Sequence, residues 1–182
     1  MRTRKKERDN PGPSTPWNEI IPGLWMGGHY WTPPGGELEL AVVGDEFDVV
    51  VSLFTLPGHG PSPHVEHIVR AVPDDVLSAV QLRAVQDAVE LTAEAVRRGR
   101  RTLVRCHSGF NRSGLVVAGA LTLLGHDTDR AIGLVRERRS PWALNNPVFV
   151  EYLNTGLDVA LLLSGLDGSA RIPNRSSPGR KA

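Results

Sequence analysis

One short stretch carries residue types that can bind and cleave a phosphate ester. It contains the chain's only cysteine, Cys106, and five residues separate it from Arg112, which Ser113 follows. A cysteine thiolate is a strong nucleophile, and an arginine guanidinium can bind two oxygens of one phosphoryl group. A loop of this length can curl so that successive backbone N–H groups point inward. The spacing therefore predicts an oxyanion cradle built around a thiol.

The elements on either side of this stretch favour the thiolate form. The apolar residues before Cys106 predict a strand, and an apolar helical run from Leu115 to Leu124 follows Ser113. A helix N-terminus carries partial positive charge, which stabilises a nearby thiolate. A lone cysteine at a strand end is more often a small buried apolar residue, but strand, cysteine, arginine, serine and helix together favour catalysis.

These residue types suggest separate roles. We expect Cys106 to be the nucleophile, Arg112 to bind the phosphoryl oxygens, and Ser113 to donate a hydrogen bond to the sulfur when it leaves. The predicted phosphate-binding loop comprises His107, Ser108, Gly109, Phe110, Asn111 and Arg112.

Phosphoryl transfer to a thiol also needs an acid that protonates the leaving oxygen. Asp74 and Asp75 lie in a turn that Pro73 begins, after the segment from Val65 to Val72. Such a loop could bring a carboxylate over the cradle. Asp74 is favoured because it directly follows the proline. Asp75 stays open as the acid, and either aspartate could instead cap the helix that follows.

These motifs together resemble the cysteine-dependent protein phosphatases with a Cys-x5-Arg-Ser signature, and among them the compact dual-specificity branch. The likeness extends to Ile21–Gly28, to Asp48–Leu53, and to the segments Ala131–Arg139 and Asn146–Leu153 on either side of Ser140-Pro141, so that it covers about residues 18 to 155. It places the general acid at Asp74, 32 positions before Cys106. It implies a hydrolase that needs neither metal nor cofactor and dephosphorylates phosphotyrosine and phosphoserine/threonine proteins through a cysteinyl-phosphate.

One residue departs from the pattern of that family. The family usually has histidine directly before the nucleophile, where it helps to hold the loop and the thiolate, and this chain has Arg105. A cation there could still favour the thiolate, but it cannot repeat the hydrogen bonding of a histidine.

Two alternatives to a protein phosphatase stay open. The same chemistry could act on a phosphoinositide, a sugar phosphate or an RNA 5′-phosphate, or the chain could bind phosphate without catalysis. Three histidines, His59, His64 and His67, have no companion cysteine, so we expect no metal site there. A nucleotide-binding loop would need lysine after its last glycine, but Leu115 follows Gly114.

Strands that alternate with helices predict an α/β fold, with a central, mostly parallel sheet flanked by helices as in dual-specificity and tyrosine phosphatases. Ligands of such sheets bind at the carboxyl ends of the strands, where Cys106 falls. The expected strands are Leu24–Met26, Val49–Leu53, Val65–Val72 and Leu103–Arg105. The expected helices are Glu37–Val43, Leu77–Arg98, Ser113–Leu124, Asp129–Arg139 and Pro147–Leu163.

The composition is that of a single globular domain. Of 182 residues, 40% are hydrophobic and 23% are charged. We expect a phosphatase domain over residues 18–163, between a disordered basic, proline-rich tail (1–17) and a disordered C-terminal tail (164–182). A net charge of +1 does not favour nucleic acid, and no apolar run is long enough for a membrane span. A single cysteine excludes an intrachain disulfide and favours a cytoplasmic protein. The oligomeric state is left open.

Overall fold

The structure, a computed structural model, describes residues 12–169. Its strands are β1 (Trp17–Ile21), β2 (Leu24–Gly28), β3 (Tyr30–Trp31), β4 (Glu39–Leu40), β5 (Val49–Ser52), β6 (Glu66–Val69) and β7 (Thr102–Cys106). Its helices are α1 (Ala79–Arg97), α2 (Arg112–Leu123), α3 (Thr128–Arg138), α4 (Pro147–Thr155) and α5 (Leu157–Ser169).

A five-stranded sheet organises the domain. Its strands lie in the order β1, β2, β7, β5, β6, and each neighbouring pair is parallel except the antiparallel pair β1 and β2. The innermost strands β5 and β7 are buried at every position, as expected for parallel strands at the centre of a sheet. The predicted α/β fold with a mostly parallel sheet and flanking helices is confirmed.

Two buried clusters lie on opposite faces of this sheet. Alternate strand residues such as Met26, Val51 and Val104 pack with the helices in the larger cluster. Their neighbours on the strands, which include Val50 and Leu103, pack with Val43, Phe47 and Val65 in the smaller one. Helix α2 is buried along most of its length. Because it is packed into the core, its position fixes the path of the loop that joins it to β7.

The expected helix over Glu37–Val43 is wrong. Strand β4 lies there and pairs antiparallel with β3, and the Ala41 N–H donates to the carbonyl of His29. Burial has a period of two in this segment, because Ala41 and Val43 are buried while Val42 is 71% exposed. Extended chain produces that alternation.

The expected helix over Pro147–Leu163 is also wrong as one element. Gly156 has φ of 94°, which ends α4, and α5 starts at the next residue. No single helix of residues 12–169 is long and apolar enough to cross a membrane; the pair Pro147–Thr155 and Leu157–Gly165 meets that criterion only jointly and is bent by 102°.

The remaining differences are two strands that were not expected and the ends of several elements. Strands β1 and β3 were not expected, and β1 includes Trp17 from the predicted N-terminal tail. Helix α5 reaches Ser169, inside the predicted C-terminal tail. Residues 1–11 and 170–182 of the two tails lie outside the described residues. Helix α1 begins at Ala79 and is capped by Ser78 in a capping box with Gln81, so neither Asp74 nor Asp75 is its cap.

Candidate active site

The loop from Cys106 to Arg112 joins the central strand β7 to helix α2. Cys106 is the last residue of β7 and is 3% exposed. Its Sγ lies 3.4 Å from Oγ of Ser113, in the first turn of α2. A thiolate can only accept, so the Ser113 hydroxyl would donate to it. The structure therefore brings the predicted nucleophile to its predicted hydrogen-bond donor at a helix N-terminus.

Close backbone packing holds the loop against β2. Gly109 has φ of 70°, and a Cβ atom there would lie 2.4 Å from the carbonyl carbon of Gly27. A Cβ on Gly28 would lie 2.7 Å from the carbonyl carbon of Ser108. Only residues without side chains permit this approach, and the positive φ further favours glycine at position 109.

This packing predicts a strong effect of a single methyl group. Gly109→Ala should lower the free energy of unfolding by about 2 kcal/mol or more, because it adds backbone strain and an overlap with Gly27. The matched control is Gly133→Ala in α3, where a Cβ meets no atom within 4 Å. That change should raise the stability by about 1 kcal/mol. Urea unfolding of both variants measures the difference, and equal values would contradict the packing argument.

Arg112 is the first residue of α2, and not every N–H of its guanidinium is used in a hydrogen bond. Nη1 donates to the carbonyl of Val72 at 3.2 Å, and the group lies 5.4 Å from the ring centroid of Phe54. Its Nε is buried and has no hydrogen-bond partner among the described residues. Buried donors are normally paired, so an oxyanion within the loop would complete the environment of this side chain.

The fork geometry of Arg112 gives a prediction that charge alone would not. Arg112→Lys keeps the positive charge but loses the planar pair of donors, so kcat/KM for an aryl phosphate should fall about 100- to 1000-fold. Steady-state kinetics measure the loss, with circular dichroism as the check on folding. A lysine variant of native activity would mean that the site needs only a point charge.

Asp74 is anchored beside the loop, and Asp75 is not. The two carboxylate oxygens of Asp74 accept hydrogen bonds from the amide of Asn111, at 3.0 Å, and from the amide of Asn146, at 2.9 Å. Asn146 lies directly before α4, whose N-cap it forms. Asp75 is exposed and accepts from the N–H of Val76 at 2.7 Å. Nothing in the sequence indicated that Asn146 contacts Asp74, because the two residues are far apart along the chain.

Arg139, which the sequence did not single out, links the loop by hydrogen bonds to residues at and just before β1. It is 7% exposed, and its Nε donates to the carbonyl of Gly109 at 3.1 Å. Its Nη1 donates to Oδ1 of Asn18 at 2.7 Å and to the carbonyl of Thr15 at 2.9 Å. Burial lowers the pKa of Arg139 to about 10, and attraction to Cys106 opposes that shift. The guanidinium thus stays charged at neutral pH, close to the predicted nucleophile.

Arg105, the residue that departs from the family pattern, is 1% exposed. Its Nε donates to Oγ of Ser52 at 3.0 Å and its Nη2 to the carbonyl of His59 at 2.8 Å. Since the Ser52 hydroxyl accepts from Arg105, it can donate to Nε2 of neutral His67, 2.9 Å away. Burial lowers the pKa of His67, and the charge of Arg105 lowers it further. Successive strand residues point to opposite faces, so this cluster lies across the sheet from the Cys106 side chain.

No family model matches this sequence, and neither does any curated protein. Solved structures of phosphatases do match. Human DUSP28 is 23% identical with a TM-score of 0.64, over 84% of this chain and 99% of that one. The tyrosine phosphatase OH1 from the Orf virus is 17% identical with a TM-score of 0.54, over 81% of this chain and 91% of that one. This chain has the fold of the dual-specificity phosphatases.

A third solved structure has the same fold. The human tyrosine phosphatase-like serine/threonine/tyrosine-interacting protein is 18% identical with a TM-score of 0.52, over 76% of this chain and 93% of that one. In the dual-specificity phosphatase fold of this chain, the loop after Cys106 lies at the carboxyl end of the central strand β7. That is the edge at which open parallel sheets bind their ligands.

Proposed function

We propose that this protein is a phosphatase that hydrolyses phosphotyrosine, phosphoserine or phosphothreonine of proteins through a cysteinyl-phosphate on Cys106. One observation carries the proposal: Asp74, remote along the chain, is hydrogen-bonded to Asn111 of the loop that also holds Cys106 and Arg112. This contact supports the proposal because it joins a candidate acid to the loop that holds the candidate nucleophile and the candidate oxyanion-binding side chain. This set is sufficient for phosphoryl transfer to a thiol.

In the first step, the Cys106 thiolate attacks phosphorus and the bond to the leaving oxygen breaks. That oxygen takes the proton of the Asp74 carboxyl group, while Arg112 and the loop N–H groups bind the remaining phosphoryl oxygens. In the second step, the Asp74 carboxylate accepts a proton from water as the water oxygen attacks phosphorus. The sulfur leaves as a thiolate that Ser113 stabilises, and inorganic phosphate is released.

Aromatic side chains beside the loop support an aryl phosphate such as phosphotyrosine as one substrate. The ring of His107, the first residue after the nucleophile, lies 4.7 Å from that of Tyr30 and 5.2 Å from that of Phe54. Rings at such distances form a wall against which a substrate ring can pack. A single cysteine also fits the reducing cytoplasm, where a thiolate nucleophile stays reduced.

A non-catalytic phosphate-binding module is the second candidate. It is favoured by Arg105, which stands where the phosphatases that this sequence resembles usually have histidine. The tyrosine phosphatase-like fold relative is described by its name as an interacting protein. Such a module would bind a phosphoprotein at the same loop and release it unchanged.

Turnover of a generic aryl phosphate between about pH 5 and pH 8 separates the two candidates. The control is the same protein alkylated at cysteine. Because Cys106 is the only cysteine, this treatment blocks that residue alone. We expect phosphate release by the untreated protein only, and a phosphoryl adduct on Cys106 after rapid acid quench. Phosphate binding without turnover at any pH would favour the module and overturn the phosphatase. A panel of phosphopeptides and phosphoinositides then separates protein from lipid substrates.

A further inference from the structure

A buried histidine outside the motifs contacts the backbone of the nucleophile. His29 directly follows β2 and is 2% exposed. Its Nδ1 lies 3.0 Å from the carbonyl oxygen of Cys106. Its backbone N–H also points at the loop, with nitrogen-to-oxygen distances of 2.9 Å to the carbonyl of Cys106 and 2.8 Å to that of His107. The Cys106 carbonyl therefore receives both a side-chain and a main-chain donor from one residue.

The tautomer of His29 follows from this contact. A carbonyl oxygen can only accept, so Nδ1 must carry a proton. Burial lowers the pKa of His29 to about 4, although the bond to Cys106 opposes the shift. The ring is then neutral over the physiological range, and its one N–H points at Cys106. Phe54 packs edge-on against the ring, with centroids 5.3 Å apart, and helps to fix its plane.

The contacted carbonyl belongs to the peptide that starts the cradle. In a trans peptide the N–H points opposite to the C=O, so holding the Cys106 carbonyl fixes the direction of the His107 N–H. Hydrogen bonds to a carbonyl also polarise the same amide and strengthen its N–H as a donor. The orientation of the first backbone donor after the thiol is thus held by two donors of His29, its main-chain N–H and its ring Nδ1–H.

The side chain next to Cys106 along the chain does not contribute this bond. Arg105 is held on the other face of the strand by Ser52 and His59. On the thiol side, the guanidinium of Arg139 is attracted to Cys106. Arg139 donates to the carbonyl of Gly109, further along the loop. Side-chain support of the Cys106 peptide therefore comes from β2, through His29.

We propose that His29 is a positioning residue, whose Nδ1–H holds the Cys106 peptide in the orientation that stabilises the thiolate. The role rests on the proposed function, since a thiolate is useful only to a cysteine that reacts. This positioning role requires a hydrogen-bond donor at the δ position of the side chain. A side chain of similar size without such a donor cannot replace it.

Alkylation of the full chain by iodoacetamide across a pH series tests this role without requiring turnover. Because Cys106 is the only cysteine, the midpoint of the rate profile reports its own ionisation. His29→Leu should raise the midpoint by about half a unit to one unit, the size of one lost hydrogen bond. His29→Asn, whose Nδ2 takes the place of Nδ1, should restore most of the shift. His29→Gln, which places its amide one carbon further away, should not.

A purely structural role would rank these variants differently. Leucine fills the buried site better than asparagine, so a role that needs only bulk would be met at least as well by His29→Leu as by His29→Asn. A native midpoint in His29→Leu would therefore overturn the proposal. Equal midpoint shifts in His29→Leu and His29→Asn would overturn it too. If His29→Leu does not fold, the two amide variants decide: equal midpoints overturn the proposal, and a lower midpoint for asparagine supports it. A protein without turnover that still shows the asparagine rescue would refute the phosphatase function and leave the positioning role standing.

Discussion

Cys106→Ser should reduce phosphate release by at least about 10,000-fold, the largest effect of any single change in this chain. A serine hydroxyl is hardly ionised at neutral pH, and a neutral alcohol is a far weaker nucleophile than a thiolate. Cys106 is 3% exposed and serine is slightly smaller, so the loop should keep its shape. We therefore expect the variant to bind inorganic phosphate about as tightly as the native protein does. Release assays and calorimetry measure the two quantities.

The two measurements on Cys106→Ser have to be read together. Lost turnover with retained binding assigns the chemistry to the thiol. Lost turnover with lost binding and a lowered melting temperature would indicate a collapsed loop instead. Substantial turnover by the serine variant would place the nucleophile elsewhere and contradict the mechanism.

Asp74→Ala should slow the hydrolysis of alkyl phosphates about 100- to 10,000-fold, and that of activated aryl phosphates much less. An alkoxide is a poor leaving group and needs the proton of the acid, whereas a nitrophenolate leaves without help. The ratio of kcat/KM values for the two substrate types isolates this effect from any general damage to the site.

The matched control for this prediction is Asp75→Ala, one residue away. Asp75 contacts the N–H of Val76 and neither asparagine that anchors Asp74. Its removal should leave the alkyl-to-aryl ratio nearly unchanged. A larger loss in Asp75→Ala would reassign the acid to that residue, and equal losses in the two variants on both substrates would remove the acid role from Asp74.

The fold could be predicted wherever the pattern of residue types is local. The apolar runs of β5 and β7 and the apolar helix α2 were predicted to within about two residues of their observed ends, an error usual at element boundaries. The helix predicted over Glu37–Val43 was wrong. That segment is extended, pairs with β3 and alternates between buried and exposed residues. The break at Gly156 was missed because the apolar residues continue on both sides of it, and only its positive φ ends α4.

In the candidate site, too, the features that could be predicted are those that depend on residues close together along the chain. Cys106, Arg112 and Ser113 lie within one loop and one helical turn, so their spacing alone predicts that they meet. The sequence favoured Asp74 and left Asp75 open, because spacing does not show which of two adjacent loop residues faces the cradle. The contacts to Asn111 and Asn146 distinguish them. The catalytic roles of these residues stay predictions until the variants are measured.

By itself, the sequence determined the chemistry to look for: a thiol, an arginine and a serine at a spacing that fits one phosphoryl group. Short-range chain geometry fixes how such residues meet, so no long-range contact is needed to predict it. The tertiary structure alone decided which groups support that loop. His29 and Arg139 reach it through parallel pairing of β2 with β7 and through the end of α3. Such contacts depend on how distant elements pack, and a single sequence does not encode that packing in any local pattern.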